Sequence, residues 1–517
     1  MKRLGAYAGR ACSGMLLLGL LQACGGDAGV DQVSQEAGGL SAAQLKESLF
    51  AAMGGLEALE SARILVQEGS GVRHHLGQIP ATGGNDPRAV LDPITEIMDL
   101  QNGRAAFRNT VTIDGGFGQQ RTEVYTTYEG QRLGWGTTGG RANIVTSVNG
   151  LFSWATHNTP EFLTRRNPIS IALSAASVPD TAVVREATLD GGTYWYLDTT
   201  LDGESIGLYL DQETALLHAF TALDSESIRG DQEATYVYGD WRPVADLQLP
   251  HEVEIRHGDG LFARLEYSAI SVNDESALAI FEIPEDARAQ ADQVVALQGE
   301  AWAPIEWVEV APGVAHIVAF SHNSMVVELP NIVVVAEGAY TEAQSLTLAR
   351  MVQERTGKSI RYVIPSHPHY DHTGGLRGLA AVGATVLTAA GHEAEIRGMI
   401  ETTQSNPLDA LSRQRAAGAE VGSVEVFSGS IDITDGDQQV LLYEVTTIPH
   451  VNPKVLIYVP HAKVLFQSDI FFGGGGPDAT ALYEAIVELG LEVEQIVGGH
   501  GGVLPFATLE TAVNGSN

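Results

Sequence analysis

The run Ser366-His367-Pro368-His369-Tyr370-Asp371-His372-Thr373-Gly374-Gly375 places three histidines and an aspartate within six residues. It stands directly behind the apolar stretch Arg361 to Pro365, which reads as a short buried strand. The cluster therefore occupies a proline-stiffened loop at a strand's C-terminal end. Imidazole and carboxylate are the ligands that a borderline cation such as zinc prefers. A loop that gathers four of them constrains the surrounding fold, because other chain segments must meet it to complete a coordination shell. His450 follows the strand-like Tyr443 to Pro449, Asp469 follows Lys463 to Ser468, and His500 follows the apolar Ile496 to Gly499. Strand ends are where α/β proteins assemble sites. Seven such groups are too many for one zinc and about right for two.

The order His-x-His-x-Asp-His, a lone His, a lone Asp and a final Gly-His-Gly resembles the metallo-β-lactamase-fold hydrolase superfamily. The approach segment, Val310 to Gly338, is similar to that family's first strands, with Glu337 standing where Asp is usual. The resemblance implies an αββα metallo-β-lactamase-type sandwich over residues 301–517. It implies that His367, His369 and His450 bind one metal, that Asp371, His372 and His500 bind a second, and that Asp469 bridges them. The implied cofactors are two Zn2+ ions, with iron or manganese as the other candidates. The implied activity is hydrolysis of an ester, lactone, amide or phosphoester bond of a small-molecule substrate by a metal-bridging hydroxide, with Asp371 as a catalytic residue that orients it. β-Lactamase activity is a weaker alternative, since Asp469 stands where some class B enzymes carry cysteine and others lack a bridging carboxylate. A ligand-binding lipoprotein with a structural metal domain is the alternative outside catalysis. Tyr370 reads as a packed aromatic, and His322, His392 and His461 read as surface or packing residues.

At 517 residues the chain exceeds one ordinary core, so two folded domains are expected. Residues 42–287 read as an antiparallel β-rich domain, in which Ala62 to Pro284 mostly alternates polar and apolar positions between Gly, Asp and Asn turns, as in Thr193 to Asp211, where Leu201-Asp202-Gly203 marks a hairpin. The expected architecture is α+β, with a curved antiparallel β domain first and the metal-binding sandwich second. The first half loosely resembles lipoprotein-carrier-like β domains. A helix with a Ser41 cap is expected from Ala42 to Met53, a helical interruption near Glu161 to Ala176, and a linker over residues 288–300. His74, His75, His157, His218, His251 and His257 form no cluster and read as solvated loop positions.

A net charge of −34 excludes nucleic acid and anionic lipid as charge-matched partners. Residues 1–23 read as a signal peptide, with Lys2, Arg3 and Arg10 ahead of an apolar run too short to span a bilayer. The ending Leu21-Gln22-Ala23-Cys24 resembles a bacterial lipobox. It implies lipidation of Cys24, a tether over residues 24–41, and a cell-envelope location at the outer membrane facing the periplasm or exterior. Contact with the membrane would then run only through the lipid. Cys12 would leave with the signal, so the exported chain would hold no disulfide and no thiolate ligand. Replacing Cys24 with Ser is expected to move the protein from the membrane to the soluble envelope fraction, read by fractionation and by incorporation of labelled palmitate.

Overall fold

The computed structural model describes residues 33–36, 40–74, 88–113, 118–138, 141–147, 167–201, 203–226, 228–258, 260–297, 301–319, 322–338, 340–405 and 408–515. The signal segment, Cys24, His75, His157 and Glu161 to Arg166 lie outside these. The chain is a mixture of helices and, mostly, strands. Among the described residues no helix is long and apolar enough to cross a membrane.

The first half is one large antiparallel sheet. Two meanders, Arg185–Leu189 through Gly260–Val272 and Ile64–His74 through Arg141–Ser147, join where Gly260–Val272 pairs with Ile64–His74. Alternation of side chains sends Leu65, Leu91, Ile94 and Met98 to one face and Val66 and Ile97 to the other. The first face is covered by the helices Ala42–Ala52 and Pro168–Ser174. The expected Ser41 cap forms, as a capping box with Gln44, and strands Gly192–Leu201 and Glu204–Asp211 make the expected hairpin. Within the expected tether, Val33–Glu36 pairs with Arg185–Leu189 as an edge strand. The expected linker contains the helix Arg288–Ala296, whose Ala291 and Val294 pack with Val124, Leu133 and Trp135. Alanine and glutamine favour a helix wherever one face finds a sheet to cover. His251 and His257 are buried on strand Leu247–His257, not solvated, because the whole strand lies inside the sheet.

The second half holds a seven-stranded and a six-stranded sheet. Val333 and Val335 face the helix Glu342–Thr356, whereas Val334 and Ala336 face the other sheet, packing with Leu442, Val455, Ile457 and Phe466. The outer face of that sheet, with Leu456, Tyr458 and Leu465, is covered by the helices Pro477–Glu488 and Phe506–Asn514. The expected strand near Ile332–Val335 is Val333–Ala336, and the apolar run before the histidine cluster is strand Ile360–Ile364.

The halves meet along a seam. Asp231 accepts bonds from Ser405 N (2.8 Å) and Ser405 Oγ (2.7 Å), and its own N–H donates to Thr403 O (2.9 Å). The neighbouring Thr402 O accepts from Arg377 Nη1 (2.9 Å), a buried guanidinium that also holds Asp409 and Met399 O.

One buried acid in the first sheet sets a pH dependence. Burial pushes the Glu96 carboxyl up to about 7, against the opposing effect of the bond it accepts from Tyr267 OH (2.6 Å). A raised folded-state value means that the neutral acid is favoured by folding. That contribution is complete below the unfolded value and is lost as pH rises through about 7. Glu96→Gln is therefore expected to gain stability relative to the native chain between pH 4.5 and pH 8, by roughly 3 kcal/mol, measured by denaturant unfolding at both pH values.

Candidate metal centre

Every proposed ligand stands just past the end of a strand. Strand Ile360–Ile364 delivers His367, His369, Asp371 and His372, Gln438–Val445 leads to His450, Val464–Ser468 to Asp469, and Gln495–Gly498 to His500. Parallel pairing of Ser468 with Gly498 sets the last two side by side. Chemically, the structure brings all seven into one neighbourhood. His367, His369, His450 and Asp469 form one group of ligand atoms, and His372, Asp469 and His500 form another. Asp469 belongs to both, so it lies between them.

Three ring nitrogens surround one oxygen of Asp469. Nε2 of His367, His372 and His450 is buried in each case and makes no hydrogen bond. His450 Nε2 lies 2.7 Å from Asp469 Oδ2, yet off the line that a hydrogen bond needs. His372 Nε2 lies 3.5 Å and His367 Nε2 3.6 Å from the same oxygen. Orphaned buried polar atoms are costly, and cations held on either side of Asp469 would satisfy them. The donor set thus fits zinc.

Outer partners orient the rings. His372 Nδ1 lies 2.8 Å from Glu337 Oε2, and His367 Nδ1 lies 2.8 Å from Ser366 Oγ, which donates to Glu337 Oε1. Burial would lower the basicity of His372, but Asp371, Glu337 and Asp469 override it and hold the ring's pKa far above the usual imidazole range. That attraction is what a dication would take over. Burial would likewise raise Asp469, but Lys454, His367 and His372 hold it well below the carboxylate range. Glu337, Tyr340 and Ser468 all adopt left-handed backbone conformations (φ 63°, 64° and 71°), unusual for residues with a Cβ. Gly499 passes so close that a Cβ would lie 2.8 Å from Glu337 Oε2 and 3.2 Å from His372 Cε1.

Two members were not expected from the sequence. His322, read there as a surface or packing residue, is buried with Nε2 2.9 Å from Asp371 Oδ2, and forms a group with Asp371 and His500. The reading failed because nothing local to Ser321-His322-Asn323 marks the loop as facing the cluster. Lys454 is fully buried, and its Nζ contacts Asp469 Oδ1 and lies 2.9 Å from His367 Nδ1. The signal available was a single cation heading the otherwise apolar strand Lys454–Val459. His392 is buried and His461 exposed, both away from these groups. Tyr370 is packed, with its hydroxyl donating to Tyr340 O (3.0 Å).

Residues 317–504 match the family model described as the metallo-beta-lactamase superfamily. This region of the chain belongs to that superfamily. Similar solved structures include a metallo-beta-lactamase from Pontibacter korlensis, 16% identical, covering 41% of this chain and 98% of that one, with a TM-score of 0.32. Another is the metallo-beta-lactamase FIM-1 from Pseudomonas aeruginosa in a mono-zinc form, also 16% identical, covering 41% and 95%, with a TM-score of 0.32. A sec-alkylsulfatase from Pseudomonas sp. is 16% identical, covering 40% of this chain and 41% of its own, with a TM-score of 0.31. No curated protein matches the chain. Superfamily membership and the clustered His and Asp side chains together support a metal-dependent hydrolase.

Because Glu337 aligns a ring in each pocket, Glu337→Gln is expected to weaken zinc binding by roughly 10–100-fold, measured by competition with a chromophoric chelator.

Proposed function

We propose that the chain is an exported dinuclear metallo-hydrolase acting on an ester, lactone, amide or phosphoester bond of a small molecule. The observation that carries this reading is the burial of three imidazole Nε2 atoms without hydrogen bonds around Asp469 Oδ2. The helix-covered pair of facing sheets in the second half supports the αββα sandwich, with the site at one edge. In this reading His367, His369 and His450 hold one zinc and Asp371, His372 and His500 the other. Two divalent cations held there would supply a hydroxide near neutral pH and polarise the electrophile.

The chain's own groups do the remaining work. Asp469 presents Oδ2 to both pockets, while Lys454 occupies Oδ1 and keeps the carboxylate from rotating. Asp371 Oδ2 faces the rings of His372 and His500 and would accept a proton bond from the attacking nucleophile, fixing its direction. His450 and His500 are the ligands with part of their surface open, so substrate would approach from their side. The positively charged, apolar and cysteine-bearing N-terminal run supports export and a lipid anchor at Cys24.

The purified chain is expected to carry about two zinc ions, and to hydrolyse a member of a lactone, ester, thioester, β-lactam or phosphodiester panel. His367→Ala should abolish that turnover, and undiminished activity in the variant would remove the metal mechanism.

A further inference from the structure

His322 lies outside the seven residues of the sequence motif, yet it is built into the second pocket from two sides. Its backbone is locked to the loop that carries His500: Asn323 N donates to Gly499 O (2.7 Å) and Asn323 Nδ2 to Gly501 O (2.8 Å). Asn323 Oδ1 also accepts from Ala319 N (3.0 Å), and Gln344 Nε2 donates to His322 O (2.8 Å). The ring is equally constrained. It stacks on Tyr340 with centroids 4.6 Å apart and meets the His500 ring edge-on at 4.3 Å.

These constraints aim Nε2 at one oxygen. Asp371 Oδ2 lies 2.9 Å from His322 Nε2, 3.2 Å from His500 Nε2 and 3.3 Å from His372 Nε2. Donors bound at about 2.0–2.1 Å to a single tetrahedral cation stand roughly 3.3 Å apart, and those of a higher-coordinate cation somewhat closer. The three separations have that spacing. His322 Nδ1 is buried with no hydrogen bond, so no partner on that side sets the tautomer, and the ring's polar contact is the one Nε2 makes at Asp371 Oδ2.

We propose that His322 is an additional protein ligand of the second metal, its Nε2 joining Asp371, His372 and His500. The proposal rests on the dinuclear reading above. A second site with three imidazoles and a carboxylate would hold its metal with one protein donor more than Asp371, His372 and His500 alone.

The test is stepwise loading of the full chain with Co2+ and Zn2+, following the cobalt ligand-field spectrum and chelator competition. Two variants are used: His322→Phe, which keeps an aromatic ring against Tyr340, and His322→Gln, which keeps a hydrogen bond to Asp371 within reach. Both are expected to lose second-site affinity by on the order of 100-fold or more, to shift the second cobalt's spectrum, and to leave first-site affinity within about twofold. Restoration of both affinity and spectrum by glutamine would overturn the proposal, reducing His322 to a residue that positions Asp371. Unchanged second-site binding in both variants would overturn it as well. A native chain that takes up no second ion would sink the dinuclear reading, and this proposal with it, a result distinguishable because it appears before any substitution.

Discussion

Glu337 ties the two halves of the metal centre together. It sits without exposed surface at the end of strand Val333–Ala336, in a left-handed conformation that turns its carboxylate towards the neighbouring strand end. One oxygen faces His372 and the other reaches His367 through Ser366, so a single acid sets a ring in each pocket. A buried carboxylate is costly unless its oxygens are engaged, and here both are. Gly499 must lie flat against this pair for the arrangement to close, which places the His500 loop as well.

Around that anchor the charges are arranged unevenly. Asp469 gives Oδ1 to the buried ammonium of Lys454 and leaves Oδ2 to the imidazoles. Asp371 faces three rings. The carboxylate shared by both pockets thus meets a lysine as well as imidazoles, while the one confined to the second pocket is held by imidazoles. The two positions are chemically distinct even though their ligand types are alike.

Much of this was legible in the chain because metal ligands are rare residue types set against apolar strands. His367 to His372, His450, Asp469 and His500 all stand out from the β-rich runs that precede them. His322 and Lys454 did not. The first comes from the antiparallel part of the sheet, where no motif marks a turn as facing the site, and the second begins a strand whose other residues are apolar. Alternation identified the antiparallel half, but the same reading mistook His251 and His257 for loop residues and the Arg288–Ala296 helix for a linker. Burial of polar groups and docking of an amphipathic segment are decided by distant chain, which local pattern does not record.

The seam at Asp231 gives the first half a part in the second half's integrity. The hairpin that carries it grips residues 403–405, and the adjoining Thr402 is held by Arg377 on the helix Leu376–Ala381, which starts directly after the His367–Gly375 loop. Loosening that grip by heat, or by a protease cut at the hairpin tip, would unfasten the bracing behind the histidines without touching one of them. The antiparallel sheet is in this sense a buttress for the histidine-bearing loop, and an excised second half would have to do without it.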